Sequence, residues 1–236
     1  MNGKKRRGAA SSLYLILDKE ACRGRRLEDV LRRALEGGVD LVQLRDKVSS
    51  SAEMIRQARS LLAITRPRGI ALIINDRLDV ALAAKADGLH VGQDDMPAAL
   101  ARKLLGAGPL LGLSCHSTDQ VRRAQAQDVD YLGFGPVFAT PTKPGRRGRG
   151  AAALRRALRL SRKPLFAIGG ITRETLPALR GLPRLRIAVV RAVCRAQDPC
   201  RAAQLMKKEL DTNDVSSPLV TRNRHHVSGR AKTNAP

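Results

Sequence analysis

Short apolar runs recur along the chain, each ending on polar residues, with amphipathic segments between them. In order they are LYLILD (13–18), LVQLRD (41–46), ALIIND (71–76), GLHVGQ (88–93), LLGLSCH (110–116), YLGFGPVF (131–138), PLFAIGG (164–170) and RIAVVRAV (186–193). Runs of this length, rich in Val and Ile, predict buried strands. The intervening segments carry a helical period. In LEDVLRRALEGG, Leu27, Val30, Leu31 and Leu35 share one face and the glycines stop the helix. Thr118 and Asp119 open another helix, and ITRETLPALRG predicts a short one ending at Gly181.

Strand, helix, strand, repeated eight times, predicts an α/β fold: a parallel sheet with right-handed crossovers, closed as a TIM (β/α)8 barrel. A doubly wound open sheet shows the same alternation and is the runner-up. A chain of 236 residues, 43% of them hydrophobic, is long enough for one large core and suits a single barrel domain. The expected organisation is a basic extension over residues 1–11, the barrel over 12–210 and a disordered polar tail over 211–236, where the periodicity stops. In that tail His225 and His226 have no partner ligands at helpful spacing and read as a solvated pair.

Composition removes several classes of function. No run of eighteen apolar residues exists, and the first apolar run is broken by Asp18, Lys19 and Glu20, so neither a membrane span nor a signal peptide is expected and the protein is read as cytoplasmic. Cys22, Cys115, Cys194 and Cys200 form no CxxC pair and no zinc spacing, which points to reduced thiols. The net charge is +23. Four basic residues at positions 4–7 and a net of two on 211–236 leave +17 on residues 8–210, so the charge belongs to the folded part. Such a field attracts nucleic acid or small phosphorylated molecules. With five aromatic residues in the chain, stacking platforms for single strands are nearly absent, and a solvated arginine-rich surface is favoured over a specific nucleic-acid face.

In a parallel barrel the C-terminal strand ends surround the active site. Here they bring Gln43, Arg45 and Lys47; Asn75 and Asp76; Gln93 and Asp95; Ser114 and His116; Thr140, Thr142 and Lys143; and Gly169 with Gly170. Two acids, several cations and a glycine turn on one rim suit a metal-bound diphosphate, with carboxylates holding Mg2+ and Arg or Lys neutralising phosphate oxygens. Singly, Asp76 could instead cap the helix beginning near Leu78, and Asp95 the one after Pro97. The loop in FGPVFATPTKPGRRGRG is basic and Gly-rich and could close over an anion.

The motifs VQLRDK, INDRLDVALAAKADGLHVGQDDMP, GLSCHS, GPVFATPTKPG and AIGGI together resemble the thiamine phosphate synthase family, over about residues 12–200. The resemblance implies a TIM barrel and a transferase of thiamine biosynthesis. It would join hydroxymethylpyrimidine diphosphate to a thiazole phosphate, releasing diphosphate and forming thiamine phosphate with Mg2+. It makes Asp76 and Asp95 the metal ligands and Gln43, Arg45, Lys47, Asn75 and Lys143 contacts to the pyrimidine diphosphate. Ser114 would bond near the reacting centre. Thr140, Thr142, the Gly170 amide and the backbone at Val190 and Arg191 would hold the thiazole phosphate, and Arg45, Lys47, Ser114 and Lys143 would serve catalysis. His90 either flanks the pyrimidine or packs as a core histidine. Arg191 stands where the family usually has serine, so it either adds a phosphate contact or crowds the cradle.

The partners implied are the two phosphorylated substrates, with no membrane, no specific nucleic acid and a possible homo-oligomer. A related thiazole tautomerase keeps a histidine where this chain has Pro136, and does not require the paired carboxylates. It remains the alternative, beside a non-catalytic basic barrel that binds nucleic acid or thiamine precursors.

Overall fold

The computed structural model describes residues 11–140 and 147–215. Over them the chain forms one closed barrel of eight parallel strands in sequence order. The strands are β1 (Leu13–Asp18), β2 (Leu41–Arg45), β3 (Leu72–Asn75), β4 (Gly88–Val91), β5 (Leu110–Cys115), β6 (Tyr131–Phe134), β7 (Leu165–Ile168) and β8 (Arg186–Val189). Each apolar run supplies one strand. Closure rules out the open sheet: β1 pairs on one side with β2, Ile16 opposite Gln43, and on the other with β8, Leu13 opposite Ile187.

The outer layer contains α1 (Leu27–Glu36), α2 (Ser51–Thr65), α3 (Leu78–Ala83), α4 (Ala98–Leu105), α5 (Thr118–Ala124), α6 (Gly150–Leu160), α7 (Arg191–Cys194) and α8 (Pro199–Val215). In α1 the apolar face buries Leu27, Val30, Leu31, Ala34 and Leu35, as its spacing requires. Helix α5 starts where Ser117 accepts the Gln120 N–H at 3.2 Å. Between β7 and β8 the expected helix is instead a 3-10 turn, Leu176–Leu179. Pro177 removes a backbone donor, and Thr175 Oγ1 both accepts the Thr172 N–H and donates to the Gly170 carbonyl, each at 2.9 Å. The segment is therefore tied into turns before an α-helix can propagate. Helix α8 continues to Val215, five residues beyond the expected domain end at 210, and buries Ala203, Met206 and Leu210. Residues 1–10 and 216–236 lie outside the described residues.

Two features hold the barrel below its mouth. Tyr14, Tyr131 and Phe166 meet inside it edge to face, with ring centroids 5.2–5.8 Å apart; such pairs each contribute about 0.5–1.5 kcal/mol beyond their burial. At the bottom, the residue just before each of β2, β4 and β6 is an aspartate that accepts a backbone N–H from the preceding strand. Asp40 takes Leu13 N at 3.0 Å, Asp87 takes Leu72 N at 3.1 Å and Asp130 takes Leu111 N at 2.8 Å. Hydrogen bonds to charged groups contribute roughly 1.5–3 kcal/mol each, so this face is built for stability. The opposite, C-terminal face is thereby left to carry chemistry. No helix among the described residues is long and apolar enough to cross a membrane.

Candidate active site

The strand ends open into a cavity of about 120 Å³ at the C-terminal mouth. One wall comes from β1, β2 and β3. Inward positions alternate along each strand, so Arg45 projects at the end of β2 and forms an ion pair with Asp18 at the end of β1. Asp18 is buried, and its other carboxylate oxygen accepts the Ala21 N–H at 2.8 Å. After β2, the buried Asp46 accepts the N–H groups of Val48 and Ser49, both at 2.9 Å, which folds the turn that carries Lys47. The Lys47 ammonium then donates to Asp76 Oδ2 at 2.5 Å, and Asn75 Nδ2 donates to the same oxygen at 2.6 Å.

Asp76 adopts a left-handed backbone, φ 59°, and its N–H donates to the His90 carbonyl at 2.8 Å, tying the end of β3 to β4. Asp95 Oδ2 accepts the Gly92 N–H at 2.7 Å. Although Asp95 as a residue is exposed, partial desolvation of its carboxyl raises its pKa, and so do a hydrogen bond to Asp76 and the charge of that carboxylate. The two acids are thus neighbours. Neither caps a helix: α3 and α4 begin after Arg77 and Pro97 with no side-chain cap.

The floor is a row of hydrogen bonds. Gln43 Nε2 donates to the Tyr14 hydroxyl at 2.5 Å, and that hydroxyl lies 2.9 Å from the Tyr131 hydroxyl. His90 Nδ1 is 3.1 Å from Tyr131 Oη, and His90 Nε2 is 2.9 Å from Ser114 Oγ. His90 is buried, as a packed histidine would be, and it also lines the cavity. Gln93 is exposed and donates to the Ser114 carbonyl at 2.7 Å.

The second wall is backbone-rich. Gly169 and Gly170 end β7 with φ of 97° and 63°. A Cβ at Gly170 would lie 2.5 Å from the Ala139 carbonyl oxygen, so the close approach of the loop after β6 requires glycine. That loop extends the β7 edge, with Val137 N–H on the Ile168 carbonyl at 2.8 Å and Phe138 N–H on the Gly169 carbonyl at 3.0 Å. Thr140, Val190 and Arg191 line the same side. His116 donates from Nδ1 to the Gly135 carbonyl at 2.7 Å, fixing its ring there. Thr142 and Lys143 lie outside the described residues.

The structure therefore gathers Gln43, Arg45, Asn75, Ser114, Thr140, Gly170, Val190 and Arg191 around one cavity, with Lys47, Asp76 and Asp95 joined at its rim. Sequence reading passed over Asp18, Asp46, Tyr14 and Tyr131. For Asp18 a signal existed, since it ends its strand as Asp76 follows β3; the tyrosines read simply as core.

Fold and site together define a (β/α)8-barrel protein whose mouth sets cations and a carboxylate pair opposite a glycine-lined backbone cradle. A family model described as thiamine monophosphate synthase matches residues 13–193. The thiamine-phosphate synthase of Vibrio parahaemolyticus serotype O3:K6 is 42% identical over 203 residues, covering 86% of this chain and 99% of that protein. That of Parasynechococcus marenigrum is 44% identical over 209 residues, covering 89% of this chain; the chain spans 59% of that relative's length. A solved structure of thiamine phosphate pyrophosphorylase from Pyrococcus furiosus superposes with a TM-score of 0.78 at 31% identity, over 87% of this chain and 98% of that one. The chain belongs to the thiamine monophosphate synthase family.

Proposed function

We propose that this protein joins hydroxymethylpyrimidine diphosphate to a thiazole phosphate, giving thiamine phosphate and diphosphate, with Mg2+ held by Asp76 and Asp95. One observation carries the reading: a single cavity has two anion-fitting walls, Arg45 on one side with Lys47 at the adjoining rim, and the Gly170, Thr140 and Arg191 cradle on the other. Two phosphorylated substrates need two such walls. A tautomerase acting on one phosphorylated thiazole needs only the second, so the paired acids and cations favour the synthase.

The donor set fits magnesium. Among the described residues no three His, Cys, Asp or Glu side chains gather into a metal cluster. Two adjacent carboxylates are what Mg2+ takes from protein when substrate phosphates and water complete its octahedron. When bound, the ion would neutralise charge on the diphosphate oxygens. Arg45, held by Asp18, and Lys47, held by the Asp46 turn, face the same leaving group. As the bond between the pyrimidine methylene carbon and the diphosphate oxygen breaks, its electron pair leaves with oxygen, and these cations stabilise the charge that develops. The aminopyrimidine ring delocalises the positive charge left on carbon. The thiazole nitrogen, positioned by its phosphate in the cradle, then supplies the lone pair for the new C–N bond. The substitution itself requires no proton to be removed.

A cytoplasmic setting goes with this reading, since all four cysteines are buried free thiols. The test is direct. The purified protein given both precursors and Mg2+ should form thiamine phosphate and diphosphate in equal amounts. Absence of product at saturation would refute the synthase, and isomerisation of a thiazole alone would select the tautomerase.

A further inference from the structure

The row of hydrogen bonds under the mouth runs across five strands, from Gln43 on β2 through Tyr14 on β1, Tyr131 on β6 and His90 on β4 to Ser114 on β5. Each phenol has one proton to give, and burial pushes both phenol pKa values well above their ordinary range, so both keep that proton at neutral pH. Donor and acceptor roles can then be assigned along the row. Gln43 gives an N–H to Tyr14, so Tyr14 spends its proton on Tyr131 and Tyr131 spends its own on His90 Nδ1. His90 is left with its proton on Nε2 and gives it to Ser114 Oγ. Ser114 keeps a hydroxyl proton to donate into the cavity, and Gln43 turns its carbonyl oxygen toward the cavity as an acceptor.

We infer that Tyr14, Tyr131 and His90 are positioning residues: a directed relay that couples the acceptor offered by Gln43 to the donor offered by Ser114. The inference rests on the proposed function above, in which a pyrimidine diphosphate is a substrate, and adds that its ring sits on this floor. With a neutral imidazole, the alternative order for these five groups is the full reverse, with the Gln43 amide turned over and His90 protonated on Nδ1. The row therefore moves as a unit, and neither end changes its hydrogen-bonding sense without the other. An aminopyrimidine, which carries an N–H donor beside a ring-nitrogen acceptor, matches a site that shows one acceptor and one donor at fixed places.

The fold makes room for this row. A Cβ at Gly112 would stand 2.3 Å from His90 Nδ1 and 2.5 Å from Tyr131 Oη, inside the space the contact occupies. Gly112 lies on β5 opposite His90, with ordinary backbone angles, so the turn chemistry that usually explains glycine does not apply.

The His90 tautomer reports the order. In the uniformly 15N-labelled full chain at neutral pH, long-range proton–nitrogen correlation should show His90 protonated on Nε2 and bare on Nδ1, the signals being assigned by their loss in His90→Gln. Tyr131→Phe removes the donor to Nδ1 and should give a mixture of tautomers. It should also lower kcat/KM for the pyrimidine diphosphate by about tenfold, the value of one lost hydrogen bond, with KM for the thiazole phosphate unchanged. Tyr14→Phe should keep His90 on Nε2, because Tyr131 still donates to it, while losing a comparable factor through Gln43. Both changes keep the ring, and circular dichroism checks the fold. A wild-type His90 protonated on Nδ1 or on both nitrogens, or an unchanged tautomer in Tyr131→Phe, would overturn the relay. So would equal effects on both substrates. Wild-type protein that shows the Nε2 tautomer but makes no thiamine phosphate would instead sink the proposed reaction and leave the relay standing.

Discussion

Replacing Arg45 with Met separates what this residue does for the barrel from what it does for the leaving group. The Asp18 side chain is 5% exposed and that of Arg45 19%, so the pair is largely withdrawn from water. Removing one partner of such a pair costs about 3–5 kcal/mol, because the other charge stays buried without compensation. Asp18 retains its 2.8 Å hydrogen bond from the Ala21 N–H, which places the loss near the lower end, about 3 kcal/mol. For a domain of this size that is a fall in Tm of about 6–12 °C. Adding Asp18→Asn removes the stranded charge while keeping an oxygen for Ala21, so the double variant should regain stability to within about 1 kcal/mol of wild type. Activity should not return. On the proposed reaction, both the single and the double variant lose a cation that would face the departing diphosphate, and kcat should fall by roughly 10²–10³ in each. Urea denaturation and turnover, measured on all four members of the cycle, check both parts. A double variant no more stable than Arg45→Met would refute the buried-pair argument, and recovered turnover would reduce Arg45 to a structural role.

Asp76→Asn and Asp95→Asn should each lower turnover by about 10² or more and move half-saturation by Mg2+ to higher concentration; magnesium dependence left at the wild-type level in both would remove them as ligands. Burial alone would raise the Asp46 pKa, but the hydrogen bonds from Ser49 and the Val48 N–H, with Lys19 nearby, hold it below its ordinary value. A depressed carboxylate adds stability above its unfolded pKa of about 3.9 and loses it as pH falls through the lower folded value. Asp46→Asn should therefore flatten the acid limb of a stability–pH profile, and an unaltered limb would contradict the assignment. Burial pushes the Cys115 thiol up to about 12, against a small lowering by Arg123. Native protein at pH 8 should accordingly resist alkylation at Cys115 and label there only after unfolding, as peptide mass spectrometry would show.

The strands were legible because each is largely buried on both faces and so reads as a short, mainly apolar run of four to six residues. Closure was not, because an open sheet produces the same alternation. What closes the ring is the pairing of Leu13 with Ile187, a contact between the two ends of the barrel that no local pattern encodes. Strand-end chemistry was legible for the same reason the strands were: once β2 is placed, period two puts Gln43 and Arg45 on the inner face. The partners of those residues were hidden. Arg45 meets Asp18 across 27 positions and Tyr14 meets Tyr131 across 117, and a tyrosine inside an apolar run carries no mark that its hydroxyl is one link in a row. Gly112 was opaque in the same way, since its lack of a side chain has meaning only when His90 and Tyr131 are in place.

Asp76 shows why a short polar residue after a strand cannot be assigned from its neighbours alone. Capping a helix and holding a cation both call for a carboxylate just beyond a strand, and the sequence before Leu78 satisfies either. The backbone decides. With φ at 59° and its N–H committed to the His90 carbonyl, Asp76 is turned back onto β4, and its side chain goes to Lys47 and Asn75 instead of the first turn of α3. For a residue with a Cβ the left-handed region costs roughly 1–2 kcal/mol, less for aspartate than for most, and a helix cap of about 1 kcal/mol is forgone as well. A fold that bears both losses at a position where two carboxylates meet is holding that side chain for something the helix does not need, and an outlier of this kind at a strand end argues for function over stability.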